Sequence, residues 1–308
     1  MKIFNNFKIP KKYKRSSLAV GNFDGAHKGH QKVFKQARGK KLKFGILTFS
    51  PLPVMFFNKK IKNYRLTSED KKFQLLKKFG VNFVVNIKFN KNFSKISAEN
   101  FIKNILYKKI NPKRIFVSNN FKFGNKRKGN VKLLKKFEKR YDYKLSKINP
   151  YKYKKKIISS TRIRELLQKG NINLANKLLS RTWQIDGHVA KGKKIGRKLG
   201  YRTCNIRIKN YVLSKAGIYA TKVLIGKQKK LHPSVAYIGS RPTFKGKEIL
   251  LEIYIFGIKK NIYKKRLGVY FVKFIRLDKK FKSSSALVRQ MNKDVILAKK
   301  GLKGKTVI

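Results

Sequence analysis

The chain has 308 residues, which is room for two domains, and its hydrophobic fraction of 41% is enough for packed cores and excludes a disordered tail. It has no apolar run long enough to span a membrane and no secretory signal pattern at its start, and we expect no membrane partner. Its single cysteine, Cys204, excludes an internal disulfide and fits a cytoplasmic location.

The charge is extreme, with 81 lysines and arginines against 12 acids and a formal net charge of +69. Such an excess attracts polyanions without specificity. The lysines are dispersed along the whole chain, however, and the other abundant residues are also those of A/T-rich codons. We therefore expect no specific nucleic-acid partner, although a cationic nucleic-acid-binding protein on an enzyme scaffold stays open as an alternative.

In the first half, short apolar runs alternate with helical patterns. The predicted strands are 16–21, 43–49, 81–89 and 113–118, and the predicted helices are 30–39, 67–80 and 97–109. Thr67 and Ser97 are the expected N-caps of the last two helices. This alternation predicts an α/β fold with a parallel sheet and right-handed crossovers.

In the second half, strands follow one another with short glycine, lysine and proline connections. They are predicted at 184–190, 217–225, 234–239, 248–256 and 268–276, and one amphipathic helix at 283–300 closes the chain. This succession of short strands with short connections predicts a small antiparallel β-barrel. The expected seam lies near Leu179 to Trp183, after a helical pattern over 161–179, and it gives domains 1–181 and 182–308.

The stretch GNFDGAHKGH, residues 21–30, follows the first of these strands and leads into a helix. Gly21 lets the backbone approach an anion, and the helix N-terminus directs free N–H groups toward it. His27 and His30 are three residues apart, so both rings can reach one phosphate. A metal site is a poor alternative without carboxylate or thiolate neighbours, and a capped loop with surface histidines is the other alternative.

A second anion-binding pattern is ISSTRIREL, residues 158–166. Ser160 and Thr161 lie just before a helical pattern, where hydroxyls cap helices, and Arg164 follows one turn later with a guanidinium suited to phosphate. An ordinary N-cap with a surface arginine is the alternative.

Taken in order from about Leu18 to Asp294, the chain resembles the prokaryotic bifunctional riboflavin kinase/FMN adenylyltransferase family. The resemblance rests on VGNFDGAHKGH, LTFSPLPVMFF, FVSNNFKFGNKRKGN and SSTRIRELL in the first half. In the second half it rests on GKKIGRKLGYRTCNIRI, SVAYIGSRPTF and LEIYIFG. It implies a Rossmann-like nucleotidylyltransferase domain followed by a flavokinase-like barrel with a closing helix.

The resemblance also implies roles for individual residues. His27 and His30 would be catalytic in adenylyl transfer, and Glu252 would be the base that accepts the riboflavin hydroxyl proton. Thr203 and Asn205 would serve the nucleotide and Mg²⁺. The other implied nucleotide-binding residues are Gly21, Asn22, Asp24, Ser160, Thr161, Arg164, Gly192 and Gly196, and the implied flavin-binding residues are Asn120, Phe123 and Arg276.

The implied chemistry has two steps, each with ATP as substrate. Riboflavin is phosphorylated to FMN, and FMN is then adenylylated to FAD with release of pyrophosphate. The glycines at 192, 196 and 200 are poor helix formers at this spacing, so we expect a loop that covers phosphate there.

Several positions depart from the family pattern. In the first half an acidic residue common in the family is Ser50, a frequent His is Leu52, and Asn119 and Asn120 stand where acidic residues or glycine are usual. In the second half Arg202 replaces Pro, Cys204 replaces Ala, Tyr237 replaces Asn, Tyr254 replaces His, Gly257 replaces Asp, and Asp278 stands where Glu is usual. These changes leave two further hypotheses open: an enzyme with an impaired kinase half, and a different H-x-G-H transferase.

Overall fold

The computed structural model describes residues 1–39, 41–190, 195–243, 246–258 and 261–307. The chain forms two compact units. The first contains Met1–Lys62 and Glu69–Ser159, and the second contains Asn63–Ser68 and Ser160–Ile308. The unit boundary after Ser159 lies upstream of the seam expected near Leu179, because two helices that precede the barrel in sequence belong to the barrel's unit.

The first unit is built on a six-stranded parallel sheet. Its strands are β1 (Lys2–Phe4), β2 (Ser17–Val20), β3 (Phe44–Ser50), β4 (Phe83–Lys88), β5 (Arg114–Ser118) and β6 (Lys144–Ile148), in the order β1-β4-β3-β2-β5-β6. The parallel α/β prediction is confirmed. From β2, the strands β3 and β4 continue toward one edge of the sheet, whereas β5 and β6 lie toward the opposite edge. β2 therefore lies at the point where the strand order reverses, and such sheets bind ligands there, at the carboxyl ends of their strands.

Helices cover both faces of this sheet. They are α1 (Lys28–Ala37), α2 (Pro53–Phe57), α3 (Glu69–Lys78), α4 (Lys91–Ser94), α5 (Ala98–Asn100), its π-helical continuation Phe101–Ile110, and α6 (Val131–Lys136). Successive residues of β2 point to opposite faces. Leu18 and Val20 join the core beneath the π-helical segment and α6, whereas Ala19 joins the core beneath α1 and α3.

Smaller elements complete this unit. They are the 3₁₀ turns Lys11–Tyr13 and Asn125–Arg127 and the hairpin of β7 (Lys152–Tyr153) and β8 (Lys156–Ile157). The Ser97 N-cap is confirmed, since its hydroxyl accepts from the Asn100 N–H at 3.1 Å. Thr67, the other expected N-cap, lies two residues before the first residue of α3, Glu69.

The second unit is built on a closed antiparallel barrel, as predicted. Its strands are β9 (Gln184–Ala190), β10 (Thr203–Arg207), β11 (Gly217–Ile225), β12 (Leu231–Thr243), β13 (Gly246–Ile255) and β14 (Arg266–Arg276), in the closed order β10-β13-β12-β11-β14-β9. The helices of this unit are α7 (Ser160–Gln168), α8 (Ile172–Leu179), α9 (Ile195–Lys198) and α10 (Ser284–Leu302).

Two of these helices pack on the outside of the barrel. In α8, the Asn176 side chain donates to the Phe271 carbonyl at 2.9 Å and accepts from the Trp183 N–H at 2.7 Å. In α10, Ala298 and Leu302 pack against Ala220 of β11. The closing helix predicted from the amphipathic pattern is confirmed.

The residues 63–68 come from the first half of the sequence but pack with the barrel. Backbone hydrogen bonds join Tyr64 and Arg65 to the carbonyl of Asn210, and the indole N–H of the fully buried Trp183 donates to the Leu66 carbonyl at 3.0 Å. The second unit therefore consists of two stretches of chain that are distant in sequence.

We expect Trp183→Phe to destabilise the barrel by about 1–3 kcal/mol, because it removes the hydrogen bond to Leu66 from a buried site while keeping an aromatic ring. Urea unfolding followed by far-UV circular dichroism measures this change. Unchanged unfolding of the barrel would show that the indole hydrogen bond contributes nothing to attachment of residues 63–68.

Candidate active sites

The loop between β2 and α1 is strained and held in place by burial. Phe23, Gly25 and Ala26 have φ values of 49°, 83° and 40°, and a positive φ is unfavourable for residues with a side chain. Phe23 and Ala26 are both buried, so packing against the core supports this backbone path. The loop is further anchored where Gly21 donates to the Leu47 carbonyl at 3.1 Å.

The structure brings His27 and His30 together at the start of α1. Their rings stack with centroids 3.7 Å apart and planes inclined by 20°. His27 is the N-cap, and its Nδ1 accepts from the backbone N–H of His30 at 3.4 Å. In the neutral ring this leaves the proton on Nε2, which can donate to an oxygen of a bound anion.

Gly29 lies between the two histidines at a point of close approach. A Cβ atom there would lie 3.0 Å from the Ile158 carbonyl oxygen and 3.1 Å from the His27 ring. The backbone at Ile158 thus lies directly beside the histidine loop, and Ser159 follows it. A side chain at position 29 would push the His27 ring or this backbone away.

Of the other residues predicted for this half, Asp24 is buried and Asn22 is exposed. Asn22 also accepts a hydrogen bond from Thr48 Oγ1 at 3.2 Å through its carbonyl. After β5, Asn120 is exposed, whereas Phe123 is buried and its ring stacks on Phe121 with centroids 5.4 Å apart. The Phe123 side chain is thus committed to the core of the unit.

A partly buried polar cluster lies at the carboxyl ends of β3 and β4, where the sequence had suggested no site. Glu69 accepts from Ser50 Oγ at 2.6 Å and from Asn86 Nδ2 at 2.7 Å. Lys72, only 2% exposed, donates to Thr48 Oγ1 at 3.3 Å. Ser50 stands where the family commonly has an acid, and Glu69 brings a carboxylate to that side chain. Glu69 is one of only twelve acidic residues in the chain, and this scarcity was the available signal in the sequence.

The predicted phosphate-binding residues of α7 lie in the second unit. Ser160 and Thr161 begin the helix, and Arg164 is buried within it. Arg164 Nε donates to the Tyr64 carbonyl oxygen at 2.7 Å, and its guanidinium lies 3.7 Å from the centre of the Tyr64 ring. Stacking of this kind fixes the plane of the guanidinium.

In the barrel, strand register brings the predicted kinase residues into one row. Asn205 of β10 lies directly opposite Glu252 of β13, and Glu252 lies directly opposite Tyr237 of β12. Directly opposed residues point to the same face of a sheet, and this is the outer face because Leu251 and Ile253 fill the interior. Thr203 donates to Glu252 Oε1 at 2.6 Å, while Asn205 Oδ1 is buried with no partner among the described residues.

The glycine-rich segment before β10 includes one turn of helix, α9, where a loop was expected. Gly196 lies in this turn, and a Cβ atom there would lie 2.8 Å from Thr203 Oγ1 and 2.7 Å from the Tyr201 carbonyl oxygen. A single turn tolerates glycine, and only glycine lets its backbone approach Thr203 so closely. Gly192 lies outside the described residues.

A mainly apolar cavity of about 330 Å³ opens beside this row. Its lining includes Thr203, Glu252, Tyr237, Tyr254 and Arg276. It is a size suited to an organic ligand with a ring system.

Arg276 is held firmly at the edge of this cavity. It makes a paired ion contact with the buried Asp294, at 2.8 Å from Nε and 2.6 Å from Nη2, and its Nη1 donates to the Leu277 carbonyl. All three nitrogen atoms of its guanidinium thus donate hydrogen bonds within the protein, and Arg276 forms a fixed wall of the cavity.

Two of the departures from the family pattern have clear locations. Cys204 points into the barrel interior, where burial raises the pKa of its thiol to about 12, so the group is neutral at physiological pH. Tyr254 lies between two cavities, the apolar one and a second of about 390 Å³ that is also lined by Arg197 and Arg202. Arg202, in place of proline, therefore adds a cation to this second cavity.

Within the described part of the chain, no three His, Cys, Asp or Glu side chains are grouped as metal ligands. The helices described here are all too short or too polar to cross a bilayer.

Comparisons with known proteins agree with this two-part arrangement. A family model for FAD synthetase matches residues 9–162, and one for riboflavin kinase matches residues 179–302. Bifunctional riboflavin kinase/FMN adenylyltransferase of Buchnera aphidicola (subsp. Schizaphis graminum) is 40% identical over 292 residues, covering 92% of this chain and 93% of the relative. The protein of that name from Escherichia coli K12 is 32% identical, covering 92% and 91%.

Among solved structures, one described as a macrolide-efflux protein from Streptococcus pneumoniae matches with a TM-score of 0.83 at 29% identity. The match covers 96% of this chain and 98% of that one, so the similarity extends over both units.

We expect Gly29→Ala to slow the predicted adenylyl transfer by about ten- to a hundredfold, because a Cβ atom displaces the His27 ring or the Ile158 backbone. Initial rates with saturating substrates measure the effect. Gly39→Ala is the matched control, since a Cβ atom at Gly39 meets nothing within 4 Å. Equal rates for the two variants would contradict a catalytic role for the close approach at Gly29.

Proposed function

The chain belongs to the bifunctional riboflavin kinase/FMN adenylyltransferase family, and we propose that residues 1–181 carry adenylyl transfer and residues 182–308 carry riboflavin phosphorylation. It makes flavin cofactors from riboflavin and ATP. The observation that supports this division best is the separation of reactive groups: the stacked histidines lie in the parallel domain, and the Thr203–Glu252 pair lies beside the barrel's cavity.

In the kinase reaction, the riboflavin 5′-hydroxyl oxygen bonds to the γ-phosphorus of ATP while the bond from that phosphorus to the ADP oxygen breaks. Glu252 accepts the hydroxyl proton. The Thr203 hydroxyl, which donates to Glu252 Oε1 at 2.6 Å, orients the carboxylate for this task. The products are FMN and ADP.

The residues beside Glu252 suit a magnesium–nucleotide complex. The hydroxyl oxygen of Thr203 and the unpartnered amide oxygen of Asn205 are hard donors that would hold Mg²⁺, with nucleotide phosphates supplying further oxygens. When bound, the ion neutralises phosphate charge. The second cavity supports nucleotide binding beside Tyr254, because Arg197 and Arg202 line it and a guanidinium suits phosphate.

In the adenylyl transfer, an oxygen of the FMN phosphate bonds to the α-phosphorus of a second ATP, and pyrophosphate leaves with the bridging oxygen. The FMN phosphate is already ionised, so no protein base is needed. The His27 and His30 rings and the positive N-terminal end of α1 stabilise the added charge.

Other residues assist this second reaction. Ser160, Thr161 and Arg164 bind the nucleotide phosphates, as their position at the start of α7 favours. Gly21, Asn22 and Asp24 shape the loop that receives them.

We place the enzyme in the cytoplasm, which its single buried cysteine favours. Its partners are the small molecules riboflavin, FMN and ATP. Its dispersed positive charge attracts polyanions only without specificity.

We expect His30→Ala to abolish conversion of FMN to FAD and to leave riboflavin phosphorylation within about twofold of wild type, because the imidazole acts only in the first domain. Chromatographic separation of riboflavin, FMN and FAD measures both rates in one sample. His188→Ala, at an exposed position of β9, is the matched control. Equal loss of both activities in H30A would contradict the separation of the two reactions.

We expect Glu252→Gln to lower riboflavin phosphorylation by at least about a hundredfold, because glutamine cannot accept the proton. Adenylylation of supplied FMN should continue at the wild-type rate. Glu99→Gln, on an exposed residue of the first unit, is the control. Phosphorylation at a normal rate in E252Q would remove Glu252 as the base, and wild-type protein with adenylylation alone would favour an impaired kinase half.

A further inference from the structure

Tyr237 is the third member of the row that contains Asn205 and Glu252. It lies directly opposite Glu252 on β12, and its side chain lines the apolar cavity. The phenol ring runs along the strand over Gly239, where a Cβ atom would lie only 1.9 Å from the tyrosine hydroxyl oxygen. Gly239 thus leaves the space that the phenol occupies.

The hydroxyl at the end of this ring reaches a separate segment of the barrel unit. It donates to Asp278 Oδ2 at 2.7 Å, and Asp278 Oδ1 accepts from the Lys279 backbone N–H at 2.8 Å. Asp278 lies between β14 and α10, two residues beyond Arg276. Asp278, Lys279 and Phe281 all line the cavity. One hydrogen bond therefore connects the strand that lies beside Glu252 to the segment that forms another wall of the cavity.

We propose that Tyr237 is a positioning residue for riboflavin, acting through Asp278 to hold residues 277–281 as a fixed wall of the cavity. This inference rests on the proposed kinase function of the barrel. It assigns a role to a residue that departs from the family pattern, and that role does not involve the nucleotide.

Both partners of this hydrogen bond stand where the chain departs from the family pattern, Tyr237 in place of the usual asparagine and Asp278 in place of the usual glutamate. The two departures meet in one contact of 2.7 Å.

The wall is also fixed from its other end. Arg276 is bound on two sides to Asp294, and the Gln290 side chain donates to the same carboxylate at 3.0 Å. Asp294 and Gln290 belong to α10. The segment between β14 and α10 is therefore tied to α10 through Arg276 and to β12 through Tyr237. Removal of the Tyr237 hydroxyl releases only the second of these ties.

The test compares Tyr237→Phe, Asp278→Ala and the double variant Y237F/D278A. We expect Y237F to raise the KM for riboflavin about three- to tenfold, the range of one lost hydrogen bond, with kcat and the KM for ATP nearly unchanged. Titration of riboflavin fluorescence without ATP should show the same weakening of binding. Gly239→Ala, which displaces the phenol, should reproduce it.

The double variant separates a specific pair from general damage. Y237F and D278A should each weaken riboflavin binding, whereas Y237F/D278A should weaken it no further than either single variant, because all three lose the same hydrogen bond. Adenylylation of FMN by the same preparations reports that the chain is folded.

Unchanged riboflavin binding in Y237F would overturn the proposal, as would a double variant whose loss is the product of the two single losses. Failure of the kinase assignment gives a different result, since E252Q would then still phosphorylate riboflavin.

Discussion

Both sites depend on a close approach of backbone that only glycine permits. In the parallel domain, Gly29 brings the first turn of α1 within contact of the Ile158 carbonyl and the His27 ring. In the barrel, Gly196 brings α9 against Thr203, whose hydroxyl donates to Glu252. Each glycine lets a side chain of the proposed site pack against a second stretch of backbone, and this contact adds to the order that the surrounding core and strands provide.

Strand register adds the second level of order in the barrel. Because opposed residues share a face, the pairing of β10, β13 and β12 aligns Asn205, Glu252 and Tyr237 without any long loop. Cys204, which lies one position away, points to the interior instead, so its departure from the family pattern leaves the site untouched. The departures at Tyr237 and Tyr254, by contrast, contribute side chains to the lining of the apolar cavity.

The sequence predicted the elements whose burial leaves a clear pattern in the residue types. The central strands β2 to β5 were visible as short apolar runs because most of their residues are buried, and the closing helix was visible through its amphipathic period. The edge strands β1 and β6 were missed because they are short and largely exposed, and β10 was missed because its outer face carries Thr203 and Asn205. The histidine pair was visible as a motif, whereas the Glu69 cluster and the Tyr237–Asp278 bond join residues far apart in sequence, a relation that no local pattern encodes.

The attachment of residues 63–68 to the barrel's unit has a consequence for synthesis of the chain. These residues leave the ribosome well before the strands that they contact, because more than a third of the sequence separates Leu66 from its partner Trp183. A truncated chain that begins after residue 181 would lack these six residues. The second unit therefore completes its hydrogen bonds only when both stretches are present in one chain.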